Sequence, residues 1–284
     1  MSEVLSTDSC RMDVFDPKTF FREHWRRKPL YVPGGGWALV DRRWTTADFD
    51  AARFRMMEDD QVMERPGEVT FIEDVSRFDD DLAARARQLA RFFGAPQVWF
   101  DAIRTYDRSG IGPHFDHSDN IVLQQSGTKE WSVASPQHIP RADIARRMMN
   151  VPGVGGRELP DDGVLRFTLE PGDLLYLPLF WLHSGTSRAE SLSISVVCPS
   201  VPLHRAVLPL LAEAARGQAL GHQPIPAFHA YLPADERAAA ARRLREATGA
   251  LLRRLSDDKL VDAVHALQTR RLPGLDGGAA PVAQ

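Results

Sequence analysis

The chain has 284 residues, of which 26% are charged and 43% hydrophobic, with a formal net charge of −3; these near-average values exclude a chain that stays disordered. No apolar run approaches the roughly eighteen residues of a membrane span, no basic stretch precedes an apolar one to form a secretory signal, and the cationic footprint of a nucleic-acid binder is absent. Cys10 and Cys198 are the only cysteines, which excludes a disulfide framework or a cysteine zinc site, so the expectation is a cytoplasmic globular protein with neither membrane nor clear nucleic-acid binding.

Residues 1–12 read as a loose tail. Asp16-Pro17 opens a short amphipathic helix through Phe20, Phe21 and Trp25, and a strand follows at Leu30–Val32, ended by Pro33 and Gly34–Gly36. The three glycines follow no strand–helix phosphate-loop pattern, so nucleotide binding is not expected. Thr45 and Thr46 cap a helix through Phe49 and Phe54. Residues 80–94 carry acids in the first turn and apolar residues at helical spacing. From residue 97 the period changes to short β-like runs at Val98–Tyr106, Gly112–His117, Asn120–Gln125, Lys129–Ala134, Val164–Leu169, Leu174–Pro178 and Ser191–Cys198. Turns at Gly127, Pro136 and Glu170–Asp173 separate them, which predicts a β-sandwich or barrel. One helix interrupts the strands at about 140–149.

After residue 203 the chain reads as helical again, at Leu203–Arg216, Asp235–Leu255 and Asp257–Thr269, before a frayed end. Apolar residues at 244, 248, 251, 252, 255, 260, 261, 264 and 267 form a stripe that serves either to pack on the barrel or to join two copies of the chain. The predicted plan is mainly β: a barrel with N-terminal helices over 13–200, a helical appendix over 201–271, and a flexible tail over 272–284.

Three residues stand out within the β region. His114 and Asp116, two apart on an extended run, project to one face. His183 follows the apolar run Leu174–Pro178, and if that strand lies beside the first, the three side chains converge. Two imidazoles and one carboxylate on one face of a metal form the facial triad of non-haem Fe(II) oxygenases, with three positions open. Each of the three residues, taken alone, reads equally as structural. Lys129, one of four lysines, lies in a barrel-interior run and needs an anion to offset desolvation, such as the distal carboxylate of 2-oxoglutarate; the alternative is a surface lysine on an edge strand. Tyr106 and Arg104 sit on the strand before His114, where alternate positions face inward. His117 and Asp119 read as a solvated strand end or as substrate contacts, and Trp131 and Trp181 as core or pocket lining. Gly153–Gly156 with Arg157 reads as a flexible insertion, either a lid or a plain connection.

The stretch Gly112-Pro113-His114-Phe115-Asp116 with Lys129 resembles the JmjC-type Fe(II)/2-oxoglutarate oxygenases. Pro171-Gly172-Asp173-Leu174-Leu175-Tyr176-Leu177-Pro178-Leu179-Phe180-Trp181-Leu182-His183 is similar to their Pro-Gly-Asp…Tyr-x-Pro…Trp-x-His pattern. Trp25-Arg26-Arg27-Lys28-Pro29-Leu30 looks like the opening Trp-x-x-Lys-Pro-Leu of the same group, nearest its protein-hydroxylating branch of asparaginyl hydroxylases and bacterial ribosomal oxygenases. The resemblance covers roughly residues 15–200. It implies a double-stranded β-helix (jelly roll, cupin-like), iron held by His114, Asp116 and His183, 2-oxoglutarate held by Lys129, and Asn120 assisting at the co-substrate. Two departures stand against it. Val197 occupies a place that is polar in asparaginyl hydroxylases, which turns attention to Ser193 or Ser195, and the last ~80 residues do not match the winged-helix ending of ribosomal oxygenases.

The implied activity is a dioxygenase using Fe(II), 2-oxoglutarate and O2 to hydroxylate an unactivated carbon of an amino-acid side chain in a protein or peptide. The alternatives are a hydroxylase of a free amino acid or natural-product intermediate, an N-demethylase, and a non-catalytic cupin-like binding module. A homodimer through the C-terminal helices is a further expectation.

Overall fold

The computed structural model describes residues 14–40, 42–56, 62–216, 233–253 and 255–262. The described residues contain ten strands. In order they are β1 (Leu30–Val32), β2 (Val62–Arg65), β3 (Val69–Ile72), β4 (Trp99–Thr105), β5 (Ser118–Ser126), β6 (Lys129–Ala134), β7 (Leu165–Leu169), β8 (Leu174–Leu177), β9 (Leu182–Ser187) and β10 (Ser191–Pro199). Seven of them form an antiparallel sheet in the order β1-β8-β5-β10-β4-β3-β2, and a smaller sheet has the order β7-β6-β9.

β10 shows how the sheet is used. Leu192, Ile194, Val196 and Cys198 enter one large core with Ile121 and Leu123 of β5 and Leu174 and Tyr176 of β8. Neighbours on a strand face opposite ways, so Ser191, Ser193 and Ser195 look toward the other side. On that second side Val122, Leu175 and Leu177 of the large sheet pack against Trp131 and Val133 of β6 and Leu169 of β7. The two sheets therefore face each other as in a jelly roll. The interior between them is apolar at one end and lined by polar side chains elsewhere.

The outer face of the large sheet is closed by helices α2 (Thr46–Met56) and α3 (Asp80–Phe93). Asp79 caps α3 by accepting from the Leu82 N–H, and Gly94 ends it in the left-handed region, as expected for a C-terminal glycine. Its buried face carries Leu82, Ala86, Leu89 and Phe93. The N-terminal helix is shorter than the sequence suggests. Regular α1 covers only Pro17–Thr19, and a wider turn takes Phe20–His24. That turn carries Phe20, Phe21 and Trp25 into one aromatic cluster, where the Trp25 ring stacks 4.8 Å from Phe93 and 5.8 Å from Tyr176.

One strand expectation is corrected, and β9 and the β2–β3 hairpin are strands the sequence reading did not include. Gly112–His117 is not a strand: Pro113 has no N–H to give a ladder, and the segment meets its neighbours only at isolated bridges from His114 to His183 and Gly156. β9 carries His183, although Leu-His-Ser-Gly-Thr-Ser has one apolar residue and reads as loop; pairing with β6 makes it a strand. β2 and β3 form an edge hairpin, unread because β2 is largely exposed and so lacks alternation. Helix α4 (Arg141–Met148) lies between β6 and β7 where a helix was expected.

The chain divides into two compact units, 1–200 and 201–284. The second contains α5 (Leu203–Arg216) and α6 (Ala234–Leu252), with helical backbone again at 257–262. The remainder of the helix expected to reach Thr269, the stripe positions 264 and 267, the tail 272–284, and Cys10 with the first residues lie outside the described residues. Among the described residues no helix is long and apolar enough to cross a membrane.

The turn before β8 provides a test of the fold. Gly172 has φ +97°, and a Cβ there would collide with the Trp37 ring, whereas Gly67, at φ +74°, has open space around it. Gly67→Ala is expected to cost about 1 kcal/mol from backbone strain alone, and Gly172→Ala about 2 kcal/mol or more because strain and overlap combine. Urea denaturation of the two variants checks the order.

Candidate metal centre

His114 and Asp116 stand on the extended segment between β4 and β5, and His183 on β9. The His114 and His183 backbones exchange two hydrogen bonds, N to O at 2.9 and 2.8 Å, and this places the imidazoles side by side with ring centres 4.3 Å apart. One ligand atom from each of the three residues lies within 4.8 Å of the others. Asp116 Oδ2 is 3.7 Å from His114 Nε2 and 3.6 Å from His183 Nε2. The sequence thus names the right three residues, but β9 and not β8 brings His183 to them.

Backbone carbonyls set the imidazole tautomers. His114 Nδ1 donates to Gly112 O at 2.8 Å, and His183 Nδ1 donates to Trp181 O at 2.8 Å. In the neutral ring each Nε2 is then the nitrogen with a lone pair, and it faces the common point, the arrangement a metal ligand needs. Burial, followed by the neighbouring His114, pushes His183 down to about 4, so it is neutral near pH 7. Burial pushes the Asp116 carboxyl up, yet His114, His183 and Arg147 together outweigh it and hold the group below its ordinary range. Asn120 Nδ2 donates to Asp116 Oδ2 at 3.1 Å, and Arg147 Nη2 donates to Oδ1 at 3.0 Å. Asn120 thus steadies the carboxylate from β5, while Arg147, on α4, carries no signal in the sequence that links it to the triad.

Asp119 corrects the expectation of a solvated strand end. It is 1% exposed. Its Oδ1 accepts from Tyr176 Oη at 2.7 Å and from Leu179 N at 3.1 Å, and its Oδ2 accepts from Arg26 Nε at 2.9 Å. These bonds fix the turn that leads from β8 into β9. Phe180 sits in that turn at φ +64°, unusual for a residue with a side chain, and its N–H donates to Asp116 O. His117 has a buried Nδ1 without a partner.

Lys129 is 1% exposed on β6, not on a solvated edge. Its ammonium lies 5.3 Å from the centre of the Trp131 ring, and burial pushes it down to about 7. No carboxylate among the described residues pairs with it. Gly185 leaves room beside it, since a Cβ there would sit 2.9 Å from Lys129 Cε and 3.0 Å from Trp131. Trp131 Nε1, Ser193 Oγ and Gln124 Oε1 are also buried without partners. Ser195 is half-buried opposite Asp101.

The expectation that Arg104 and Tyr106 face inward is overturned. Thr105 is the buried residue, its hydroxyl bonded to Ser187 and Ser191, and alternation sends Arg104 the other way, to Asp50 and Glu190. Tyr106 lies past the strand end with its ring 5.5 Å from that guanidinium, so the structure does not bring it to the triad. Gly153–Arg157 is no free lid. Phe115 N donates to Gly155 O, and Arg157 N donates to Pro113 O. Trp131 and Trp181 pack in the interior core.

Two imidazoles and a carboxylate suit a first-row divalent ion, and a buried ammonium with no carboxylate partner among the described residues suits an anion. Protonating Lys129 opposes folding below its folded value of about 7, and the penalty disappears as pH rises toward its unfolded value of 10.5. The wild-type protein is therefore expected to gain stability between pH 7 and 10. Lys129→Met is expected to melt higher than wild type at pH 6 and to lose that advantage by pH 10, measured by thermal denaturation of the ligand-free protein.

Comparison with known proteins agrees with this picture. The family model described as the JmjC domain matches residues 71–204. A "Probable ribosomal oxygenase" of Haemophilus influenzae is 26% identical over 225 residues, covering 69% of this chain and 52% of its own. The "Ribosomal protein uL16 3-hydroxylase" of Escherichia coli K12 is 31% identical over 91 residues, 31% of this chain and 21% of its own. A "Bifunctional lysine-specific demethylase and histidyl-hydroxylase NO66" of Drosophila persimilis is 23% identical over 217 residues, 63% of this chain and 29% of its own. The chain spans about half or less of the length of these curated relatives. Among solved structures, the E. coli ribosomal oxygenase YcfD in complex with cobalt and 2-oxoglutarate shares the fold, with TM-score 0.59 and 17% identity over 95% of this chain and 75% of that one. The fold, the convergent triad and the matched segment agree: residues 71–204 match the JmjC domain, and the chain is similar to the ribosomal oxygenases.

Proposed function

We propose that this protein is an Fe(II)- and 2-oxoglutarate-dependent dioxygenase that hydroxylates an unactivated carbon of an amino-acid side chain in a protein or peptide. One observation carries the reading. Two imidazoles and a carboxylate oxygen face one point, inside a barrel that also holds a buried ammonium with no carboxylate partner among the described residues. His114, Asp116 and His183 would hold the iron, and Lys129 would receive the distal carboxylate of 2-oxoglutarate through a charge-assisted hydrogen bond. When bound, the metal with 2-oxoglutarate and O2 supplies the oxidising power to break a C–H bond, yielding succinate and carbon dioxide.

The rest is the work of this chain's residues. Gly112 and Trp181 carbonyls take the Nδ1–H of each imidazole and turn Nε2 toward the common point, Asn120 and Arg147 fix the carboxylate, and Gly185 leaves space at the ammonium. Ser193 and Trp131 offer further N–H and O–H donors in the same interior. The relatives named as a uL16 3-hydroxylase and as a probable ribosomal oxygenase support a protein target, met in the cytoplasm. The NO66 relative is also named a lysine-specific demethylase, and that favours N-demethylation as the second reading; hydroxylating an N-methyl carbon releases formaldehyde, which a formaldehyde assay on a methylated peptide detects. Pairing of two chains through the exposed Leu244, Leu252 and Val261 belongs to the same reading, and light scattering in solution tests it.

Anaerobic visible absorption on adding Fe(II) and 2-oxoglutarate tests the cofactor assignment without knowledge of the substrate. Wild type is expected to show a charge-transfer band that His183→Ala abolishes and Lys129→Ala weakens. A folded wild-type protein with no band overturns the reading. The 2-oxoglutarate concentration needed for half the band should rise with pH above about 7, by up to tenfold per unit as Lys129 loses its proton, and Lys129→Met should abolish that dependence.

A further inference from the structure

Arg147 projects from the last turn of α4, in the segment that leaves β6 and returns to β7. The return limb of this segment is bonded to the metal-ligand stretch itself, through Phe115 N to Gly155 O and Arg157 N to Pro113 O. The neighbouring arginines are engaged elsewhere: Arg146 and Arg157 both pair with Asp143, at 3.9 and 3.3 Å. Arg147 alone of these three turns inward, and its Nη2 reaches Asp116 Oδ1 at 3.0 Å. Gly155 makes room for it. At φ +146° it is bare where a Cβ would stand 3.4 Å from the guanidinium carbon. Arg147 Nε is buried and has no acceptor, so the contact of Nη2 with Oδ1 is what directs the side chain.

The two oxygens of Asp116 are thereby given different tasks. Oδ2 faces both imidazoles and accepts from Asn120, while Oδ1 is held by the guanidinium. A carboxylate left to itself can give a metal one oxygen or both. A charge-assisted bond to one of them removes that choice.

We propose that Arg147 is a positioning residue that commits Asp116 to binding a divalent metal through Oδ2 alone, so that Oδ1 does not fill another coordination position. The inference rests on the metal-site reading above. Its chemical importance lies in a count: two imidazoles and one carboxylate oxygen leave three positions of a six-coordinate ion, which a bidentate 2-oxo acid and dioxygen require, whereas a chelating carboxylate leaves two. Arg147 touches neither metal nor co-substrate and acts through Asp116.

The test needs only the metal. Metal-free wild type, Arg147→Lys and Arg147→Gln are loaded with Mn(II), and water-proton relaxation reports the exchangeable waters on each bound ion. Wild type and Arg147→Lys are expected to agree, and Arg147→Gln is expected to fall to about two thirds of their relaxivity per bound ion, as three waters become two. Arg147→Met, which keeps the buried stem, replaces the glutamine variant should that one fail to fold by thermal melting. A folded neutral variant with wild-type relaxivity overturns the inference while leaving the metal site intact. A folded wild-type protein that takes up no Mn(II) overturns the metal-site reading and this inference with it.

Discussion

Asp119 is withdrawn from water, yet it receives a guanidinium N–H from Arg26, a phenol from Tyr176 and a backbone N–H from Leu179. Its three donors come from the N-terminal segment, from β8 and from the turn leading to β9. Burying a carboxylate costs several kcal/mol unless its lone pairs are satisfied, so these three parts are locked to one another and to β5. Burial and the adjacent carboxylate keep the Tyr176 phenol protonated far above its usual range, which makes it a permanent donor. The Trp25 ring stacks on Tyr176, so the N-terminal motif supports the site from a distance. Only with this turn fixed does His183 arrive opposite His114.

The barrel interior divides its labour by polarity. Val122, Trp131, Val133, Leu175 and Leu177 supply cohesion. The polar part, with Lys129, Ser193, Gln124 and Asn120, gives up stability: a buried ammonium without a counter-charge and hydroxyl or amide oxygens without donors each cost free energy. A protein folded for stability alone would replace them with apolar groups. These polar groups are a cost that the apolar end of the interior offsets.

Much of the site was legible because its residues sit in distinctive local strings. His-Phe-Asp between turn residues, the Pro-Gly-Asp run ending at His183, and a lone lysine in an apolar strand each carry their signal within a few positions. Helix α3 and most strands were equally readable from their periodicity. Several features were not, each for a physical reason. β9 is a strand only because β6 pairs with it, and its own side chains are too small and polar to show alternation. Thr105 and Arg104 exchanged expected faces because the strand phase depends on which residue meets the hydroxyls of β9 and β10. Asp119 looks like any exposed acid until Arg26, 93 positions away, is brought against it. Arg147 is one arginine among several in a helix, and its role exists only through the fold-back of the chain after α4.

The paired backbone hydrogen bonds between His114 and His183 join positions about 70 residues apart. Closing a loop of that length costs conformational entropy before any contact repays it, and long-range closures of this kind slow folding. The intervening chain includes β5, β6, the α4 segment and β8, all of which must be in place for the bridge to form. During synthesis the emerging chain carries His114 and Asp116 well before it carries their third partner. A nascent or partly unfolded molecule therefore holds His114 and Asp116 without the third member of the cluster.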